Sequence, residues 1–252
     1  MRKDPPFIAI DMNTWPMAQT FYYYTEIAPT SYTINVMMDV TIMRNALKMK
    51  KFKFFPAYIY LVTRNISKHS EFRVAVKDGV LGHWEYLTPT YPQFHQDDKT
   101  TSLLWTEYEG CFRNFYKRYL EDTEIHGNSH GILTSKGMPL PNSYIVSCIP
   151  WVRFNSFSLY NHGLKDYYLP SFEAGGFTET DDKVQMPLSI TVHHATTEGY
   201  HLKVFLEQLQ YDMDHVEEWL EGTNAIWCES HFCTRPHIPF DRTYGRRYRE
   251  NT

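Results

Sequence analysis

The alternation of apolar and polar residues changes period several times along the chain. Ser31-Tyr-Thr-Ile-Asn-Val-Met-Met-Asp-Val40 alternates and is rich in β-branched residues, which predicts a strand. Val184 to Ala195 is almost wholly apolar, the pattern of a strand buried on both faces. Beyond it, Leu202, Phe205, Leu206 and Leu209 recur at spacings of 3, 4 and 7 residues. That period predicts a helix from Glu198 to Gln210 with one apolar stripe, which Thr196 or Thr197 could cap.

Shorter signals fill in the remainder. Phe7 to Pro16 reads as a strand or extended arm leading into a helix, whose first turn Pro16 fits, which Met17 to Thr25 continue and which Pro29 ends. Thr41 to Lys48 is a short helix. A longer one begins at Phe54, with Pro56 in the first turn, where its missing N–H costs nothing. Arg73 to Lys77 and Leu81 to Tyr86 flank Asp78-Gly79, a hairpin signal. Phe112 to Asp122 is an amphipathic helix, 123–141 a loop rich in Gly, Ser, Asn and Pro, and Tyr144 to Pro150 a strand. Strands and helices mix without strict βαβ alternation, repeats or a linker. The class this predicts is α+β: a two-layer sandwich with a large mixed β-sheet and helices packed on it. One domain over 1–211 is expected, then an extension over 212–252 that packs on it or trails from it, with Asp212 to Leu220 continuing the last helix.

Composition narrows the function. The 252 residues are 42% hydrophobic and 21% charged, as in a soluble globular protein with a proper core. An aromatic share of 16% hints at broad packed surfaces or pocket linings. A net charge of −4 argues against nucleic acid as partner, and the four arginines between Arg242 and Arg249 read as a solvated end. No signal peptide and no apolar run of ~20 residues is visible, so no membrane is expected and a cytoplasmic location is. Cys111, Cys148, Cys228 and Cys233 are too widely spaced for a disulfide framework. Cys228, His231, Cys233 and His237 fall within ten residues, but not at standard zinc-knuckle spacing. Ordinary reduced thiols and no metal are the expectation.

The chemistry concentrates in Val192-His193-His194-Ala-Thr-Thr-Glu198-Gly199, which joins a buried strand to a helix start. A His pair alone is about as often structural as functional, and the HExxH zinc spacing is absent. A histidine at a helix start is still well placed for acid–base work. The positive end of the helix dipole favours the neutral ring with its free lone pair.

This segment, with Pro187-Leu188-Ser189 before it, resembles the HHxxxDG signature of the chloramphenicol acetyltransferase family. Dihydrolipoamide acyltransferases and peptide-synthetase condensation domains carry relatives of it, but three further stretches are similar to this family in particular. They are Phe54-Phe55-Pro56-Ala-Tyr58-Ile-Tyr60, Phe94-His95-Gln96, and Ser147-Cys-Ile-Pro150-Trp151-Val-Arg-Phe154-Asn-Ser156-Phe157. All occur in family order, and the similarity runs from about Phe7 to Gln210. The resemblance implies direct acetyl transfer from acetyl-CoA, a co-substrate and not a resident cofactor, to a small-molecule hydroxyl. His194 would be the general base and Ser147 the donor to the oxyanion. It also implies a homotrimer with active sites between subunits, Ser147 and the acceptor pocket coming mainly from His194's neighbour. Lys53, Phe55, Trp151 and Phe177 would face CoA; Tyr23, Tyr24, Ala28, Thr30, Thr101, Phe157, Leu159 and Glu173 would line the acceptor pocket.

The chain departs from the family pattern in several places. Glu198 stands for the usual Asp, which supports the histidine loop, and the Arg that pairs with that Asp is replaced by Ala18. Both changes fit either a rebuilt support or a disused site. Ala28, Thr30 and Thr101 replace Leu, Cys and Phe; Glu173 replaces a small hydroxyl residue, and Gly176 a lysine near the CoA phosphate. Three readings stay open: a chloramphenicol acetyltransferase conferring resistance, an acetyltransferase for a more polar hydroxyl compound, and a non-catalytic trimeric homologue.

Overall fold

The computed structural model describes residues 5–220 apart from 162 and 164. In chain order the elements are β1 (Phe7–Ala9), α1 (Ala18–Tyr22), a π-helical turn (Tyr23–Ile27), β2 (Ser31–Asp39), α2 (Thr41–Met49) and α3 (Phe54–Ile66). Next come β3 (Val74–Lys77), β4 (Val80–Trp84), β5 (Thr88–Phe94), β6 (Thr101–Trp105), α4 (Phe112–His126) and β7 (Ser143–Ile149). The last are β8 (Ser171–Gly175), β9 (Thr178–Thr180), β10 (Lys183–His193), α5 (Gly199–Asp214) and α6 (Glu217–Leu220).

The strands form a large sheet ordered β2-β10-β8-β7-β5-β6, with β9 pairing the start of β10, and a small sheet ordered β1-β4-β3. In the large sheet β5–β7 and β7–β8 are parallel and the other pairs antiparallel. This is the mixed sheet with helices packed on it, the α+β class expected from the sequence. The hairpin at Asp78-Gly79 forms as expected. Both residues take positive φ, 53° and 78°, so the turn twists with its strands.

Side chains alternate between the two faces of the large sheet. Val146, Phe172, Ala174, Leu188, Ile190 and Val192 bury themselves on one face. There the Phe172 ring meets Phe205 of α5 at 5.2 Å, and the Tyr144 hydroxyl shares a 2.7 Å hydrogen bond with Thr63 of α3. The opposite face is polar. Directly paired positions lay Ser147, Glu173, Ser189 and Asn35 in a row across β7, β8, β10 and β2. β10 is thus buried on both faces, as its run of apolar residues predicts, but Ser189 and Thr191 occupy the second one.

Two expectations need correction. α4 runs on to His126, into the stretch read as loop. The last helix does not continue to Leu220: α5 stops at Asp214, His215 takes φ −115° and ψ 60°, and a separate short α6 follows. Trp219 of α6 folds back, donating its indole N–H to the Asp212 carbonyl at 2.7 Å and meeting Phe112 edge-on at 5.0 Å. The cysteines and histidines of the proposed tail cluster, Cys228, His231, Cys233 and His237, lie outside the described residues.

Candidate active site

His193 ends β10 and His194 begins the turn into α5. Backbone bonds hold that turn: the Thr30 carbonyl accepts from the His194 N–H at 2.9 Å, and the His193 carbonyl from Thr196 and Thr197 at 3.2 and 3.1 Å. His193 is committed to structure, because its Nδ1 accepts from the Ala195 N–H at 3.2 Å. Burial, and then the neighbouring His194, hold the His193 pKa below the usual imidazole value.

The His194 ring is held by aromatic contacts. It stacks on Tyr24 at 4.0 Å and 8° and meets Tyr32 at 5.0 Å. Its Nδ1 is buried without a partner, and Nε2 makes no hydrogen bond among the described residues. The Tyr32 hydroxyl donates to the Thr197 carbonyl at 3.1 Å. Burial, and then the charge of Glu198, push its pKa up to about 12, so it stays a donor.

Glu198 has a definite task despite the missing Arg. It is the N-cap of α5: its carboxylate accepts from the His201 backbone N–H, while His201 Nδ1 accepts from the Glu198 N–H at 3.0 Å. Reciprocal satisfaction of two orphan donors is the logic of a capping box, here with His in the third position. The cap is therefore neither Thr196 nor Thr197, whose hydroxyls turn to the carbonyls of His193 and Glu71. Tyr32 and His201 are the members of this cluster that sequence reasoning missed. The signal for His201 was its position three residues after Glu198, unremarkable because Glu is a poor N-cap.

Ser147 does not meet His194 within the chain. It pairs through Glu173 with Ser189, and His194 follows Ser189 by five residues. At ~3.4 Å per strand residue that is roughly 17 Å along the sheet, before the strand spacings are added. The Ser147 hydroxyl makes no hydrogen bond among the described residues. Its neighbour Glu173 is 1% exposed, and neither carboxylate oxygen has a partner. Burial pushes the Glu173 pKa up to about 7, with Ser171 pulling it back only in part.

The acceptor residues expected from the sequence fall into separate groups. Tyr23, Tyr24, Ala28 and Thr30 gather around the chain's own His194: Tyr23 meets Tyr24 edge-on at 5.0 Å, and the Thr30 hydroxyl donates to the Ala28 carbonyl at 2.7 Å. These four lie on the same chain as that histidine, at a distance from its Ser147. Phe157 belongs to the Ser147 row, its N–H donating to Asn35 at 3.0 Å and its carbonyl accepting from Ser189 at 2.6 Å. Leu159 lines a cavity of about 520 Å³ on the polar face, together with Thr30, Tyr168, Ser171, Thr191 and His193. Thr101 lies apart, exposed at the start of β6 opposite Phe94.

Of the CoA set, Lys53 is exposed at the N-cap of α3, and Phe54 beside it packs edge-on against Phe177 at 4.8 Å. Gly176 ties the same edge to the Trp151 segment, donating its N–H to the Val152 carbonyl at 2.7 Å. Trp151 is 67% exposed. Phe55 instead turns inward among Tyr58, Tyr91 and Tyr119. The loss of a lysine at Gly176 has a steric reason: a Cβ there would sit 2.7 Å from the Pro150 carbonyl oxygen. Elsewhere, His95, Asp97 and His130 bring ligand atoms within 4.8 Å of one another. However, the two rings stack at 4.1 Å and 20°, which sets their lone pairs side by side instead of aiming them at one point.

Solved structures place this fold among acetyltransferases. A chloramphenicol acetyltransferase matches with a TM-score of 0.71 at 18% identity, over 82% of this chain and all of that one. A probable dihydrolipoamide acetyltransferase from Listeria monocytogenes matches at 0.57 and 13%, over 88% and 98%. The family model for chloramphenicol acetyltransferase matches residues 6–210. Chloramphenicol acetyltransferases from Clostridium butyricum and Escherichia coli are 36% and 35% identical, over 86% and 88% of this chain and 99% of each relative. The chain belongs to the chloramphenicol acetyltransferase family. No helix among the described residues is long and apolar enough to cross a membrane.

Proposed function

We propose that this protein transfers acetyl from acetyl-CoA to a hydroxyl of chloramphenicol, with His194 as general base. The observation that carries the reading is the His194 ring, fixed by Tyr24 and Tyr32 with Nε2 unclaimed at the end of a fully bonded turn. His194 Nε2 takes the proton of the acceptor hydroxyl as its oxygen attacks the thioester carbonyl carbon. The tetrahedral oxyanion then collapses, the C–S bond breaks, and the CoA thiolate recovers the proton from His194. No acyl-enzyme forms, because the base acts on the acceptor itself.

Ser147 donates to the oxyanion, its hydroxyl having no other partner among the described residues. It does so from a second subunit. The separation of Ser147 from His194 within one chain supports this, and a trimer would set the polar sheet face of one copy against the His194 end of the next. Exposed Tyr22, Tyr23, Ile27, Trp151 and Val152 offer apolar surface for such an assembly. CoA runs along the edge of Lys53 and Phe177. The reaction needs no metal and no resident cofactor, and its soluble reactants suit the cytoplasm.

The rebuilt cap at Glu198 favours a site in use over a disused one, since the support of the histidine turn is complete. The test is thiol release from acetyl-CoA with chloramphenicol, for the wild type and His194→Ala. Turnover lost in the variant, with assembly intact, is the expected result. Equal turnover in both would refute the base, and no turnover in the wild type would refute the acceptor.

A further inference from the structure

Resting on that placement of the acceptor site, we infer that Glu173 makes this chain select hydroxyl acceptors that carry a protonated amine. The Glu173 side chain shares a face and a directly paired row with Ser147 and Ser189. Two residues along β8, Ser171 lines the cavity described above, as does Tyr167, whose hydroxyl senses the Glu173 charge. The carboxyl thus sits just beyond the end of that cavity. It is 1% exposed, and both oxygens lack partners.

Only hydroxyls stand near it among the described residues, Ser171 pulling its pKa back in part, and none brings positive charge. The titratable groups that feel its charge are Tyr167, from the segment before β8, and Tyr58, on α3 across the sheet; burial raises the pKa of both, and neither brings positive charge. Cys148, next to Ser147 on β7, is likewise pushed up to about 11 by burial. No basic side chain of the described residues helps to hold the Glu173 charge. From β10, the Ser189 hydroxyl is already donated to the Phe157 carbonyl. A buried carboxyl left without donors is costly, so an occupant that supplies them is favoured. An ammonium brings both the opposite charge and enough donors for two oxygens, whereas a neutral hydroxyl brings one donor and no charge.

Because this carboxyl ionises near neutrality, the selection depends on pH. A neutral acceptor is tolerated by the protonated acid and disfavoured as it ionises; an ammonium shows the reverse. The probes are chloramphenicol and the free amine left when its dichloroacetamide is hydrolysed, compared by kcat/KM between pH 6 and 7.5. The ratio of amine to amide should rise roughly thirtyfold in the wild type and stay flat in Glu173→Gln and Glu173→Thr. A flat ratio in the wild type, or the same rise in either variant, overturns the inference while leaving the proposed reaction intact. If neither probe is acetylated, the proposed reaction fails. The inference is then judged by calorimetric binding of the same pair over the same pH range, under the same criteria. A variant that loosens the oligomer without moving the ratio also overturns it, since Glu173 would then pair with a cation of a second subunit.

Discussion

The two ends of the candidate site, both reached along β10, are built in opposite ways. At the His194 end nearly every group is committed: the backbone turn is bonded, His193 is spent on Ala195, and Glu198 and His201 satisfy each other. At the Ser147 end, a serine and a buried glutamate face the polar side of the sheet with no partner among the described residues. Positioning a base demands rigidity, which local bonds supply. Binding an acceptor and an oxyanion demands unspent donors and acceptors, which a ligand or a second subunit completes. One region is finished by its own chain, and the other is not.

The sharpest break is at the finished end. His194→Ala should lower kcat by ~10²–10⁴ in thiol release with chloramphenicol, while circular dichroism and size in solution stay unchanged. Ser147→Ala should cost ~10²–10³ in kcat with little change in KM, because the hydroxyl serves the transition state. A loss confined to KM would instead make Ser147 an acceptor contact.

Glu173→Gln probes the unfinished end through stability. The folded pKa of Glu173 is raised from 4.5 to about 7. Between those values the folded state holds a proton that the unfolded state has released. Stability therefore falls as pH rises from 4.5 to 7 and is flat above that range. Replacing the carboxyl should stabilise the protein by about 1–3 kcal/mol at pH 8 and by little at pH 4.5, read from denaturant midpoints. A pH-independent effect would mean that the carboxylate is already paired. The smallest effect belongs to the cap. Glu198→Ala should cost ~1 kcal/mol, lowering Tm by roughly 2–4 °C. His201→Ala should add little on top, because the two act as one unit.

Much of this was legible in the chain. β2, β10 and the hairpin at Asp78-Gly79 announced themselves by alternation, β-branching and turn chemistry. No pattern announced β5, where Pro89 and Pro92 sit in a strand paired on both sides, a place proline usually avoids. β8, Ser-Phe-Glu-Ala-Gly, is short and carries a carboxyl into a fully buried position, so neither period nor composition marks it. The histidine and serine stood out through family likeness. The same likeness implied that they come from different subunits, but no local pattern shows it, because their separation depends on which strands lie between them, and strand order is a property of the whole sheet. The cap at Glu198 escaped because a glutamate in that position is rare.

The claim that His194 and Ser147 act on one acceptor from different subunits is tested most directly by mixing two inactive proteins. His194→Ala and Ser147→Ala should be co-expressed and the mixed oligomers purified and assayed. In random trimers, roughly a quarter of the sites should draw an intact histidine from one variant and an intact serine from the other. Activity should therefore return to about that fraction of the wild type. Mixed oligomers no more active than the sum of the two variants would place both residues in one chain's site, and contradict the account.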